Sequence, residues 1–232
     1  MVKTHRDTIS VNDCQVLAHY QFEADQYIIT LESKEIADST RPGQFVHLSV
    51  SGMLAMRRPI SVMSVDADNG TFDLLYKIVG EGTKQLADRK IGDVLSVIGP
   101  IGNGFELTDR KIPLLIGGGV GMPPMIAIAQ KIKDNAYYNP YVILGSEVPF
   151  PFEASQSSLN GFNSSKFYTM PLLEEWRVPC GLASLQDYEG VYKGYVTDLA
   201  REYLDSLSSS DLKEVEVFTC GPNPMLEAVS KL

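Results

Sequence analysis

Near residue 107 the sequence changes rhythm, and that change limits the possible folds more than any other feature. Before it lie six short runs that alternate apolar with polar residues or are rich in β-branched ones: CQVLAHYQF, QYIITLES, GQFVHLSV, RPISVMSV, TFDLLYKIV and DVLSVIGPIG. Glycine, Asp-Asn-Gly and Arg-Pro-Gly turns separate them, which is the pattern of antiparallel strands. Asp68-Asn69-Gly70 marks a hairpin, because Asn and Gly tolerate positive φ. Six such strands predict a small antiparallel barrel, interrupted by one helix, GEGTKQLADRK. After residue 111 strands and helices alternate: IPLLIG, PPMIAIAQKIKD, YVILGS, KFYTMP, VTDLAREYLDSL, EVEVFTCG and NPMLEAVSKL. This alternation predicts an α/β domain, a parallel sheet with helices on both faces. The boundary falls within residues 102–111, giving domains 1–107 and 108–232. No internal repeat or low-complexity tract is present, and residues 146–159, with their prolines and serines, read as an irregular loop.

Composition excludes several classes of function. A net charge of −9 argues against a nucleic-acid partner, which calls for a basic face. No apolar run approaches the roughly 20 residues of a membrane span, and MVKTHRDTIS lacks the apolar core of a signal peptide. A cytoplasmic protein is expected. Cys14, Cys180 and Cys220 are odd in number and widely spaced, so neither a disulfide framework nor a metal site is expected. His5, His19 and His47 form no helical ligand pair and read as surface or structural residues.

Three motifs carry chemistry. PLLIGGGVGMPPM joins a strand to a helix through Gly117, Gly118, Gly119, Val120 and Gly121. Such a turn lets backbone amides approach a pyrophosphate at a helix N-terminus, where a Cβ would collide with the ligand. Met122, Pro123 and Pro124 stand where the usual fingerprint has its last glycine, and proline suits the first helical turn. A ligand-free glycine turn is the alternative. The second motif is Arg57-Arg58-Pro59-Ile60-Ser61, whose arginine fork matches phosphate oxygens and whose serine follows one strand pitch later. The third, Gly80-Glu81-Gly82-Thr83, opens a helix as a further anion-ready N-terminus or as a plain cap by Thr83. Together they predict two phosphate cradles in two domains.

With Gly99-Pro100-Ile101-Gly102-Asn103-Gly104-Phe105, Lys193-Gly194-Tyr195-Val196-Thr197-Asp198 and Cys220-Gly221-Pro222-Asn223-Pro224-Met225, these motifs resemble, in order, the ferredoxin–NADP reductase superfamily. More narrowly they are similar to electron-transfer subunits of class 1B dihydroorotate dehydrogenase, enzymes of pyrimidine biosynthesis. The resemblance implies an FAD-binding β-barrel followed by an NAD-binding α/β domain. It implies that Arg58, Pro59, Ile60 and the Gly82 and Thr83 amides hold FAD, that Ser61 lies near flavin N5, and that Leu75, Tyr76 and Lys77 line the cofactor. Residues 117–123 would hold the dinucleotide diphosphate, with Cys220, Gly221 and Pro222 closing on the nicotinamide. Ser61 and Cys220 are then the residues nearest the chemistry, Cys220 as a wall and not a nucleophile.

The sequence also departs from the family. Lys77 stands where arginine is common, keeping the charge and losing the fork. Asp187-Tyr188-Glu189 replaces a smaller turn. The cysteine-rich tail that carries a 2Fe-2S cluster is absent before Leu232, so a cluster-free relative or a shortened chain is expected. Glu147 follows YVILGS in place of arginine and would repel a 2′-phosphate, predicting NADH over NADPH. Trp176, Tyr137, Tyr138 and Tyr141 read as packing. The expected function is an FAD-dependent NADH oxidoreductase passing electrons to a catalytic dihydroorotate dehydrogenase subunit or another acceptor. A stand-alone NAD(P)H:flavin reductase and a non-catalytic regulatory subunit are the alternatives.

Overall fold

The computed structural model describes residues 9–50, 56–159 and 168–232. His5, Lys166 and Phe167 lie outside these. The chain divides into two compact units, residues 1–105 and 106–232.

The first unit contains β1 (Ser10–Phe22), β2 (Gln26–Glu32), α1 (Lys34–Ser39), β3 (Phe45–Leu48), β4 (Arg58–Asp66), β5 (Thr71–Lys77), α2 (Glu81–Ala87) and β6 (Val94–Ile101). The strands close as a barrel in the order β1-β2-β5-β4-β3-β6, with every pairing antiparallel, so no strand edge is left open. Alternation sends Val16, Ile29, Leu31, Val46, Leu48, Ile60, Val62, Phe72, Leu74, Tyr76, Leu95 and Val97 into one core. Register shifts at Val16/Ala18, Phe45/His47 and Val62/Ser64 supply local bends that help a six-stranded sheet close. The β4–β5 hairpin forms at Asp68-Asn69-Gly70: Gly70 has φ +68°, and the Asp66 carboxylate accepts from the Asn69 N–H at 3.0 Å.

The expectation of a single helix in this unit is corrected by α1. Ser33 caps it, its hydroxyl accepting from the Ile36 N–H at 3.3 Å, and Ile36 and Ala37 are buried. Only six residues long, it has too few turns to show a helical period in sequence.

The second unit contains β7 (Ile112–Gly118), a 3₁₀ turn (Gly119–Gly121), α3 (Met122–Ile132), β8 (Tyr141–Gly145), β9 (Ser155–Gln156), β10 (Tyr168–Thr169), α4 (Pro171–Glu175), β11 (Cys180–Ser184), β12 (Tyr192–Lys193), α5 (Val196–Ser206), α6 (Ser209–Leu212), β13 (Val215–Cys220) and α7 (Asn223–Val229). The sheet is parallel, in the order β12-β11-β8-β7-β13. All of β7 is buried, as a central strand covered on both faces must be. Ile112, Leu114 and Ile116 pack with Leu199, Ala200 and Tyr203 of α5, and alternation turns Leu115 to the other face. The chain runs from β7 outward through β8, β11 and β12, then returns to place β13 on the other side of β7. The C-terminal ends of β7 and β13 therefore form the switch point at which α/β sheets bind ligands.

The strand expected at KFYTMP is corrected. Its described part, β10, pairs only with β9 in a two-stranded ribbon. Beside that ribbon, Glu174 accepts from the Ser157 and Ser158 hydroxyls at 2.7 and 2.6 Å. The sheet position is filled instead by β11, Cys180-Gly181-Leu182-Ala183-Ser184, whose small residues lack a strand signature. Of the tyrosines expected to pack, Tyr141 is buried and Tyr138 half-buried, whereas Tyr137 is exposed. The Tyr138 hydroxyl donates to the Thr108 carbonyl at 3.0 Å, and Tyr141 stacks on Tyr203 at 4.3 Å. Trp176 lies under the Lys133 ammonium.

Candidate functional site

The two arginines that open β4 have separate tasks. Arg57 is held by the barrel: its guanidinium donates to the Ser96 carbonyl at 2.7 Å and the Ser96 hydroxyl at 3.0 Å on β6. Arg58 instead lies against the first turn of α2. A Cβ added to Gly82 would overlap the Arg58 guanidinium, so only glycine admits the arginine there. Arg58 donates to the Met56 carbonyl at 3.0 Å and, among the described residues, pairs with no carboxylate.

Thr83 shapes this turn from inside. Its hydroxyl accepts from the Val79 and Gly80 N–H groups at 2.9 and 3.3 Å and donates to the Gly80 carbonyl at 3.1 Å. The helix start is thus latched, and Thr83 offers a ligand its N–H and not its hydroxyl. The first helical bond runs from the Lys84 N–H to the Gly80 carbonyl. The N–H groups of Glu81, Gly82 and Thr83 precede it and have no helical acceptor. A cation without a carboxylate, over a turn of unpaired amides, fits a diphosphate.

Alternation sorts the other residues expected here. Ile60 and Tyr76 face the barrel core, so they offer a ligand only backbone. The Tyr76 hydroxyl meets His19 Nε2 at 2.8 Å, its ring stacks on Tyr27 at 5.3 Å, and burial holds its phenol far above the usual value. Ser61, Leu75 and Lys77 alternate with these residues and belong to the outer face; Pro59 is exposed. Among the described residues the Ser61 hydroxyl makes no hydrogen bond and Lys77 no ion pair.

In the second unit, two strand ends interlock. Cys220 is the register partner of Gly117. A Cβ on Gly118 would lie 2.5 Å from Met225 Sδ, and one on Gly121 would overlap the Cys220 carbonyl and sit 2.8 Å from Gly221 Cα. Close packing therefore gives these glycines a reason that the sequence reading did not name: Gly118 and Gly121 make room for the Cys-Gly-Pro turn and α7. Among the glycines of this turn, Gly119 alone combines positive φ (+55°) with open space. Val120 is exposed, while Met122 and Pro123 are buried.

Proline also changes the anion chemistry of this turn. The Met122 N–H bonds the Gly119 carbonyl, and Pro123 and Pro124 have no N–H, so the first turn of α3 contributes few donors. Residues 112–130 and 217–226 contain no basic side chain. What remains for an anion is the turn around Gly119 and Val120 and the helix dipole. Cys220 is half-buried, and burial pushes its thiol upward, so it stays neutral at pH 7. Sequence reading left Met225 out of this site; its place beside Gly118 depends on how α7 docks, which no local pattern shows.

At the same sheet edge Glu147, just past β8, is exposed, and Lys193 pairs with Asp187 at 3.1 Å. Among the described residues no group of three or more His, Cys, Asp or Glu is placed to hold a metal ion. Among them, too, no helix is long and apolar enough to cross a membrane.

A closed antiparallel barrel with an arginine over a helix start, followed by a parallel-sheet unit with a glycine turn at its switch point, is the ferredoxin reductase-like fold. Residues 13–105 match the oxidoreductase FAD-binding domain family. The solved NADH-dependent reduced ferredoxin–NADP oxidoreductase has the same fold, with a TM-score of 0.75 and 22% identity over 100% of this chain and 73% of that one. The ferredoxin reductase of carbazole 1,9a-dioxygenase follows at 0.71 and 20%, covering 96% and 64%. Among curated proteins, the dihydroorotate dehydrogenase B (NAD(+)) electron transfer subunit of Listeria innocua is 33% identical over 94% of this chain and 77% of its own length. That of Shouchella clausii is 32% identical over 89% and 72%. This chain belongs to the family of dihydroorotate dehydrogenase B electron transfer subunits.

Proposed function

We propose that this chain binds FAD on its barrel, takes electrons from NADH, and passes them to a catalytic dihydroorotate dehydrogenase subunit. The observation that carries this reading is Arg58, unpaired by any described carboxylate and seated on Gly82 at the start of α2. Bound FAD supplies hydride acceptance and one-electron release, which no protein side chain provides. The chain's own residues bind and orient. Arg58 with the Gly82 and Thr83 amides takes the diphosphate, and Lys77 adds positive charge on the outer face. Ser61 presents an uncommitted hydroxyl to the flavin edge. Gly119 and Val120 take the nicotinamide dinucleotide's diphosphate through backbone N–H, and neutral Cys220 with Gly221 and Pro222 walls the nicotinamide end. No general acid or nucleophile is required.

NADH is the preferred donor. Glu147 places a carboxylate past β8, and Lys193, the basic residue that ends β12, is engaged by Asp187 and not left to a 2′-phosphate. One like-charge contact at about 4 Å, fully screened by water, amounts to about 1 kcal/mol, enough for a several-fold preference.

The test is direct. Protein purified with ample riboflavin should stay yellow through gel filtration and bleach on anaerobic mixing with NADH, faster than with NADPH. Adding the oxidised catalytic subunit should restore the colour. A colourless protein that uses free flavin as substrate overturns bound FAD, unbleached flavin overturns catalysis, and faster bleaching with NADPH overturns the donor preference.

A further inference from the structure

Helix α2 carries half of the FAD cradle yet is only seven residues long, with Gly82, Thr83 and Leu86 its only buried residues. Helices of this length are not stable alone in water, so tertiary ties must fix where its first turn points. Thr83 latches the front and Leu86 anchors the middle. At the back, the imidazole of His19 on β1 has Nδ1 2.8 Å from the Arg89 carbonyl, just past the helix, and Nε2 2.8 Å from the Tyr76 hydroxyl on β5. Tyr76 lies on the strand that leads into α2, and Arg89 lies on the turn that leaves it. One side chain therefore grips both ends of the β5–α2 segment, and Tyr27 packs on its ring at 5.4 Å.

The hydrogen-bonding chemistry sets the roles. A carbonyl only accepts, so Nδ1 must carry the proton; the neutral ring's Nε2 then accepts, and the Tyr76 phenol donates. Burial keeps that phenol protonated.

We infer that His19, locked in the Nδ1-protonated tautomer, is a positioning residue for FAD: it holds α2 so that the Gly82 and Thr83 amides and Arg58 face the diphosphate together. The inference rests on the FAD reading above.

The experiment uses the full chain with purified FAD. His19→Ala should raise the FAD dissociation constant about tenfold, the scale of one or two lost hydrogen bonds. His19→Asn, which keeps a donor near the Nδ1 position, should recover most of the affinity, and Tyr76→Phe should weaken binding only two- to threefold, roughly. The rate at which saturating NADH reduces the FAD-loaded His19→Ala protein should stay within about twofold of wild type, because the staple sets occupancy and not the reacting rings. In ¹⁵N-histidine spectra of flavin-free wild type, the His19 signal should report protonated Nδ1. Unchanged FAD affinity in His19→Ala, no rescue by Asn, or a proton on Nε2 overturns the inference. If His19→Ala fails to fold, the Asn variant and the tautomer decide. Wild type that takes up no FAD overturns the cofactor reading itself, while the spectra still judge the staple.

Discussion

The barrel cradle and the glycine turn of the sheet unit, the two diphosphate sites of the proposed function, carry opposite equipment. The barrel offers a guanidinium that no described carboxylate neutralises, above a helix turn with free amides. The sheet turn has no basic residue in either contributing segment, and two prolines remove amides from its helix. Hydrogen bonds to charged groups are each worth about 1.5–3 kcal/mol against about 0.5–1.5 for neutral ones. On the proposed reading, the first site retains its ligand and the second exchanges it. That is what an electron carrier needs: a resident flavin and a nicotinamide that leaves once oxidised. Retention of this kind would separate the chain from a reductase that releases its flavin.

The largest effect that breaks the comparison lies at Arg58. Arg58→Ala removes two or more charge-assisted bonds and should raise the FAD dissociation constant at least about a hundredfold, giving colourless protein after gel filtration. Arg58→Lys should recover only part, since it restores charge without the fork. An alanine variant that keeps its flavin would mean retention comes from elsewhere, and the contrast between the sites would vanish.

A matched pair comes next. Gly82→Ala pushes the arginine off α2 and should weaken FAD roughly ten- to a hundredfold, while the apo protein's melting temperature holds or rises, because alanine favours helix over glycine. Gly121→Ala sets a methyl against the Cys220 carbonyl, an overpacking that costs about 1–3 kcal/mol. It should raise KM for NADH at least about tenfold and leave FAD in place. Flavin titration and steady-state kinetics on both variants read this crossover; equal effects of both on flavin and NADH would show that the sites are not divided in this way.

How far these sites were legible in sequence follows the same physics. The six barrel strands are visible because a two-residue period and turn residues are local signals, and Arg58 and Gly82 are visible because phosphate recognition draws on few residue types. Helix α1 and strand β11 were not: the first is too short to show a period, and the second is built of small residues that only a central sheet position makes into a strand. Ile60 and Tyr76 were named with their motifs, yet strand alternation turns both side chains into the core. At Gly118 and Gly121 the residue type was legible, but one packing reason for it was not: Met225 and the Cys220 carbonyl, which lie far along the chain.

The smallest effect sharpens the comparison most, because it adds a group instead of deleting one. Pro124→Ala keeps helical geometry in the first turn of α3 and returns one N–H to it. If the sheet site is weak because proline stripped its donors, KM for NADH should fall about two- to fivefold, the scale of one neutral hydrogen bond at a helix N-terminus, while FAD affinity stays fixed. Product release should slow to match, so kcat falls wherever NAD⁺ departure limits turnover. An unchanged KM in a variant that melts like wild type would mean that the missing amides do not set NADH affinity, and that exchange at this site has another cause.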